Sequence, residues 1–153
     1  MTDTFRLMLV QANPTVGDIA GNLAKAREYW AKGRAAGVDM VALTEMFVTG
    51  YQTQDLILKP AFQHSALVAI EDLARECADG PALGIGGPAL RDGRLFNAYW
   101  ILQGGQAVAT VLKHHLPNDA VFDEKRVFSS ADVAGPYVVN GVRIGTPICE
   151  DAW

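Results

Sequence analysis

Asp39-Met40-Val41-Ala42-Leu43-Thr44-Glu45 is the stretch that decides how this chain folds. Asp39 opens a short run of four apolar residues, which closes on Thr44-Glu45 and reads as a strand. Upstream, Asn22 is placed to cap a helix. Its apolar positions Leu23, Ala26, Trp30 and Gly33 recur at helical spacing, and Gly37 ends it. Upstream again, Phe5 to Val10 is apolar apart from Arg6, as expected of a strand covered on both faces, and Asn13-Pro14 with Gly17-Asp18 turns the chain into the helix. Strand, helix and strand joined tightly make a βαβ unit, so the two strands should run parallel.

Downstream of Glu45 a loop carries Gly50, Tyr51 and several glutamines. A second helix is predicted from about Ala61 to Ala78, with Ala66, Ile70, Leu73, Ala74 and Cys77 on one face. Cys77 is thereby a core residue. Leu83-Gly84-Ile85-Gly86 reads as a strand. Asp92-Gly93 turns it into a second strand, Leu95 to Leu102, and Gly104-Gly105 into a third, Ala107 to Leu112. The run Gly84-Ile85-Gly86-Gly87 is followed by Pro88 and has neither phosphate-loop pattern, so it marks a close approach of backbones. A long loop covers residues 114–136. Asn140-Gly141 then makes a hairpin of Tyr137-Val138-Val139 and Val142-Arg143-Ile144. The expected class is α/β with a mixed sheet and two helices on one face. The other face should be apolar and open.

Composition narrows the partners. Half the residues are hydrophobic and a fifth charged, which is globular composition. A net charge of −4 gives no reason to expect nucleic acid or an anionic membrane. No apolar run reaches membrane-spanning length, and Met1-Thr2-Asp3-Thr4 lacks the basic and apolar regions of a signal peptide. Two cysteines are too few for a disulfide framework. A cytoplasmic protein with reduced thiols is the expectation.

In Gly145-Thr146-Pro147-Ile148-Cys149-Glu150-Asp151, glycine and proline bend the chain after the last strand and present Cys149 on a turn. Glu45, Lys113 and Cys149 thus stand at the carboxyl ends of separate predicted strands, the edge where open α/β sheets bind ligands. Together they suit acyl transfer. An ammonium stabilises a thiolate, a carboxylate takes the thiol proton, and the ammonium then meets the oxyanion formed on an amide carbonyl. The bland alternative is a surface ion pair between Glu45 and Lys113 with Cys149 buried. His114-His115 beside Asp119 offers no third ligand at regular spacing, so no metal is expected.

Three stretches resemble the signature segments of the nitrilase superfamily, the carbon–nitrogen hydrolases, in that family's order. They are Thr44-Glu45-Met46-Phe47-Val48-Thr49-Gly50-Tyr51, Leu112-Lys113-His114-His115-Leu116-Pro117-Asn118 and Ile148-Cys149-Glu150-Asp151. Within it, Asp55-Leu56, Lys59-Pro60-Ala61-Phe62, Val121 to Arg126 and Cys149 to Trp153 are similar to the subgroup formed by the glutaminase domains of glutamine-dependent NAD(+) synthetases.

The resemblance implies the N-terminal portion of a nitrilase-type α-β-β-α sandwich, with Glu45 as proton acceptor, Lys113 as oxyanion-stabilising lysine and Cys149 as nucleophile. It also implies a supporting Glu124 (otherwise a solvated loop charge) and substrate contacts at Tyr51, Asp119 and Glu150. Glutamine would supply ammonia to amidate deamido-NAD(+). ATP and magnesium would belong to a synthetase domain downstream, outside residues 1–153, in a full-length homo-oligomer. The glutaminase domain would be incomplete at its C-terminal end. Two features depart from the subgroup: Asp119 stands where a tyrosine is usual, and Gln52-Thr53-Gln54 replaces a more proline-rich stretch. Another amidase or carbamoylase of the superfamily, or a catalytically inactive fragment, are the competing readings.

Overall fold

Five strands form the main sheet in the order β1 (Leu7–Leu9), β2 (Met40–Ala42), β3 (Ala82–Arg91), β4 (Arg94–Gln103) and β5 (Gln106–Leu112). The structure is a computed structural model that describes residues 4–153; the Met1-Thr2-Asp3 part of the N-terminal reading lies outside them. β1 pairs with β2 in parallel, Leu7 opposite Met40, and β2 pairs with β3 in parallel. β3, β4 and β5 form an antiparallel meander. The βαβ unit and the mixed sheet are therefore as the sequence predicts. Both tight turns of the meander carry positive φ at both central residues, Asp92-Gly93 at 51° and 73° and Gly104-Gly105 at 60° and 86°. That geometry matches the twist of the flanking strands, which is why glycine recurs there.

α1 (Ile19–Ala35) and α2 (Pro60–Glu76) pack side by side on one face of the sheet. Leu23, Ala26 and Trp30 of α1 meet Ala66, Ile70, Leu73 and Cys77 of the α2 region over Val41, Leu43, Leu83 and Ile85 of the sheet. Each large aliphatic side chain buried this way contributes about 1.5–3 kcal/mol. The indole of Trp30 also donates to Pro81 O at 2.9 Å, so its one polar atom is satisfied in the core.

Asn22 does not cap α1. The cap is Asp18, whose carboxylate accepts from Gly21 N at 2.9 Å. Asn22 lies inside the first turn, fully buried, where its amide donates to Thr15 O at 2.8 Å and Val48 O at 3.2 Å and accepts from Thr15 N at 2.7 Å. A buried amide must find such partners, and here it ties the loop after β1 to the segment after β2.

The opposite face differs from expectation in two ways. β6 (Tyr137–Val139) and β7 (Val142–Ile144) form a separate two-stranded sheet and do not extend the main one. With Ile148 they cover Met40, Ala82, Tyr99, Ile101 and Val111, so the middle of this face is packed. The edge strand β1 reaches past that cover: Leu7 is 48% and Leu9 77% exposed, and β1 is not sheathed on both faces.

β3 is longer than its glycine run suggests and continues through Pro88 to Arg91. Even-numbered β3 residues turn their backbone groups toward β2: Ala82 N donates to Asp39 O and Gly86 N to Thr44 O. Pro88 shares that side beyond the end of β2, where its missing N–H costs no ladder bond. At Gly86 the backbone after β2 crosses so closely that a Cβ would lie 2.2 Å from Met46 N and 2.6 Å from the carbonyl carbon of Glu45. The close approach read from the sequence is real, and it sets the height of Glu45 above the sheet. Gly86→Ala should therefore lower stability by about 1–3 kcal/mol, read as a drop in the denaturation midpoint, because backbone and not a flexible side chain would have to give way.

Candidate active site

β2 and β5 point the same way in the sheet, so the residues that follow them emerge at one edge. Glu45 follows β2 by way of Leu43 and Thr44, and Lys113 follows β5 directly. Lys113 N donates to Asn97 O at 2.9 Å, which continues the ladder by one pair and sets the side chains of Lys113 and Asn97 side by side. The Lys113 ammonium donates to Glu45 Oε1 at 2.7 Å and to Glu124 Oε1 at 3.0 Å.

This is no surface pair. The Lys113 side chain is 0% exposed, Glu124 3% and Glu45 21%. The alternative of a solvated ion pair fails, and so does that of a solvated loop charge at Glu124, which lies in a 3-10 turn (Glu124–Arg126) folded back under the site. Burial by itself lowers the pKa of Lys113. The hydrogen bond and charge of Glu45, joined by those of Glu124, more than reverse this, so the ammonium is held charged with its pKa raised. Burial raises the carboxyl of Glu124, against the pull of the Tyr51 hydroxyl and the Lys113 ammonium.

Two further side chains complete the cluster. Tyr51 donates from its hydroxyl to Glu124 Oε1 at 2.7 Å, and burial pushes its own pKa up. It braces the supporting carboxylate from beneath, packed among Met46, Ile57, Leu95, Leu116 and Phe128. Asn97, fully buried in β4, donates to Glu45 Oε1 at 2.7 Å and reaches Glu124 Oε1 at 3.4 Å. Its NH2 must face this way, because ionised carboxylates only accept.

Cys149 does not stand at the end of a strand of the main sheet. It opens a 3-10 turn, Cys149–Ala152, that follows the separate β6–β7 sheet, and is carried over the sheet face to the same edge. Cys149 and Glu45 line one cleft of about 610 Å³, floored by Leu43 and Tyr99 and walled by Thr146, Pro147 and Ile148. Tyr99 is held there by its hydroxyl, which donates to Leu43 O at 2.8 Å. Cys149 has φ of +50°, in the left-handed region a non-glycine residue seldom takes, and Met46, next to Glu45, has +48°. Such strain at a turn, kept by surrounding packing, collects at functional sites. Cys77 is the contrast: it is buried in the helix-side core, and burial pushes its thiol up to about 11.

Of the other sequence candidates, Asp119 is exposed on a turn and Glu150 is half-buried beside Cys149; neither lines the cleft. No metal-ligand cluster of His, Cys, Asp and Glu occurs among the described residues. The rings of His114 and His115 meet edge to face with centroids 4.5 Å apart. Among the described residues, no helix is long and apolar enough to cross a membrane.

Residues 6–153 match the carbon-nitrogen hydrolase family. The chain belongs to that family. It is 56% identical over its whole length to a glutamine-dependent NAD(+) synthetase of Rhodobacter capsulatus, covering 28% of that protein. It is 31% identical to the synthetase of Thermotoga maritima, over 97% of this chain and 26% of the relative. The chain thus spans about a quarter of the length of the curated relatives it matches. Among solved structures, the glutamine-dependent NAD+ synthetase of Acinetobacter baumannii, in complex with ADP, superposes with a TM-score of 0.86 at 29% identity, over 97% of this chain and 28% of that one. An amidase from Nesterenkonia sp. AN1 shares the fold at a TM-score of 0.73 and 18% identity, over 92% of this chain and 55% of its own.

For this carbon-nitrogen hydrolase chain, Asn97 is the residue the sequence reading missed. The signal was present: an amide in the middle of Leu95-Phe96-Asn97-Ala98-Tyr99, where an unpartnered one would cost several kcal/mol. Asn97→Asp keeps the shape and sets a third carboxylate against one ammonium. The variant should lose about 3 kcal/mol or more at neutral pH. The new carboxyl would have its folded pKa raised by Glu45 and Glu124, so the loss is felt as pH climbs and shrinks as pH falls toward about 4. Chemical denaturation of variant and parent across that range measures both.

Proposed function

We propose that this chain is the glutamine amidohydrolase part of a glutamine-dependent NAD(+) synthetase and releases ammonia through a cysteine thioester. The observation that carries the reading is the buried ammonium of Lys113, held between Glu45 and Glu124, with Glu45 in turn lining one cleft with Cys149. The name of the 56% identical relative supports glutamine as the amide.

Glu45 takes the proton of the Cys149 thiol as sulfur attacks the amide carbon. An ammonium has three protons, and two of those on Lys113 are engaged by Glu45 and Glu124. The third is left for the oxyanion, a donor typically worth ~10²–10³ in rate. Collapse of the tetrahedral adduct breaks the carbon–nitrogen bond, and Glu45 hands its proton to the leaving nitrogen, so that ammonia departs and the thioester remains. Water, deprotonated by the same carboxylate, then cleaves the thioester to glutamate and restores the thiol.

Residues 1–153 are read as the N-terminal share of the glutaminase domain. Deamido-NAD(+), ATP and magnesium are assigned to the synthetase domain beyond them, in a cytoplasmic homo-oligomer. Tyr51, Asp119 and Glu150 remain the proposed substrate contacts. For Tyr51 the bond to Glu124 favours a supporting role, and Asp119 is exposed.

In the full-length protein, Cys149→Ala should abolish glutamine-driven NAD(+) synthesis and leave ammonia-driven synthesis intact. Retained glutamine turnover would remove Cys149 from the mechanism. Lys113→Met should cut glutamine hydrolysis by at least ~10²-fold. It should also cost about 3–5 kcal/mol of stability, since buried Glu124 loses its counter-charge. Lys113→Arg should fail as well, because a planar fork does not fit where a compact ammonium sits. A Met variant with normal turnover would sink the proposed role of the lysine.

A further inference from the structure

Asp151 lies two residues beyond Cys149 in the same 3-10 turn, and its carboxylate reaches back to the strand-end segment that carries Lys113. Oδ1 accepts from His115 N at 2.7 Å and Oδ2 from His114 N at 3.2 Å, while the His115 ring nitrogen Nδ1 stands 3.3 Å from Oδ1. The carboxylate is only 13% exposed. Among the described residues, no other hydrogen bond joins residues 149–152 to the rest of the chain; Asp151 N to Ile148 O and Trp153 N to Glu150 O are local to the turn. Lys113 is itself pinned on its far side, donating from its backbone N to Asn97 O and accepting at its own O from Ala131 N.

We infer that Asp151 is a positioning residue of the proposed amide hydrolysis, its carboxylate clamping the successive amides of His114 and His115 so that the turn bearing Cys149 is held in register with Lys113. Two parallel N–H···O⁻ bonds to one carboxylate fix an orientation as well as a distance, as a bidentate fork does. The constraint is needed because the two groups come from different sheets. Lys113 ends a strand of the main sheet, whereas Cys149 follows a hairpin that rests on the sheet through apolar contacts alone near this edge. Apolar contacts are non-directional and permit sliding, and displacement by about an ångström costs up to ~10²-fold in rate. This inference rests on the reading of Cys149 and Lys113 as partners in one reaction.

The test compares Asp151→Asn with Asp39→Asn in the full-length protein. Asp39 is a matched control outside the cleft: it accepts from Arg6 N at 2.8 Å and from the Asn140 side chain at 3.1 Å, and so also ties the terminal hairpin to the sheet by a carboxylate. In Asp151→Asn the amide NH2 opposes one of the two backbone N–H groups and opens the clamp while preserving volume. The expected result is a fall in kcat for glutamine of about 10–10²-fold, with KM within a few-fold of the parent and ammonia-driven synthesis unchanged. Asp39→Asn should lose a similar increment of Tm and keep its kcat. A second measurement needs no glutamine: alkylation of Cys149 by iodoacetamide at neutral pH should slow in Asp151→Asn and not in Asp39→Asn. Parental kcat or parental alkylation in Asp151→Asn overturns the inference, as does an equal loss of kcat in Asp39→Asn, which would mark loosening of the hairpin in general. If the parent turns over no glutamine while its alkylation still depends on Asp151, the choice of substrate falls and the clamp stands.

Discussion

Putting an ammonium where water does not reach costs several kcal/mol unless carboxylates meet it at hydrogen-bond distance, and Lys113 is wholly buried. That constraint organises the carboxyl edge of the sheet. Glu45 must arrive from β2 and Glu124 from the long loop. The loop must also fold back as a 3-10 turn instead of extending into solvent, and Tyr51 and Asn97 add further donors to the same carboxylate oxygens that the ammonium meets. Each partner is expensive without the others, so the cluster forms as a unit. A pair at the surface would be worth at most about 1 kcal/mol and would order nothing.

The same edge concentrates backbone that L-residues resist. Met46 and Cys149 both have left-handed φ, and the backbone from Thr44 to Met46 passes over Gly86 with no room for a side chain. Such conformations cost of order 1–3 kcal/mol each and persist where surrounding packing over-determines them. Here the packing is apolar on both sides: the α1–α2 layer beneath β2 and β3, and the β6–β7 hairpin with Ile148 above. Stability gained across the two faces of the sheet holds Glu45 and Cys149 in positions neither would take alone.

Membership of the carbon-nitrogen hydrolase family agrees with this architecture, and the cleft between Glu45 and Cys149 has the size to receive a small amide. The chain covers about a quarter of the length of its curated relatives. The proposed cleavage of an amide draws on a thiol, a carboxylate and an ammonium, all of which this chain carries.

The sequence by itself determined the strands, both helices, the three tight turns and the parallel sense of the first strand pair. Those signals are local: a period, an apolar face, or a dipeptide such as Asn140-Gly141 that tolerates positive φ. It also singled out Glu45, Lys113 and Cys149, because chemistry-bearing residue types at strand ends and turns stand out from an apolar background, whereas Glu124 was implied only by the family resemblance. It misjudged the cap of α1, where Asp18 and Asn22 both qualify by type and only the loop at Thr15 and Val48 decides between them. The tertiary structure alone decided that the last hairpin forms a second sheet, that Lys113 is buried, that Asn97 joins the Lys113 cluster, and that Asp151 meets the amides of His114 and His115. These outcomes join residues far apart in the chain, 52 positions for Asn97 and Glu45, 68 for Lys113 and Glu45, and 36 for His115 and Asp151. Register and layer stacking set such distances, and neither leaves a mark within the few residues that a sequence pattern spans.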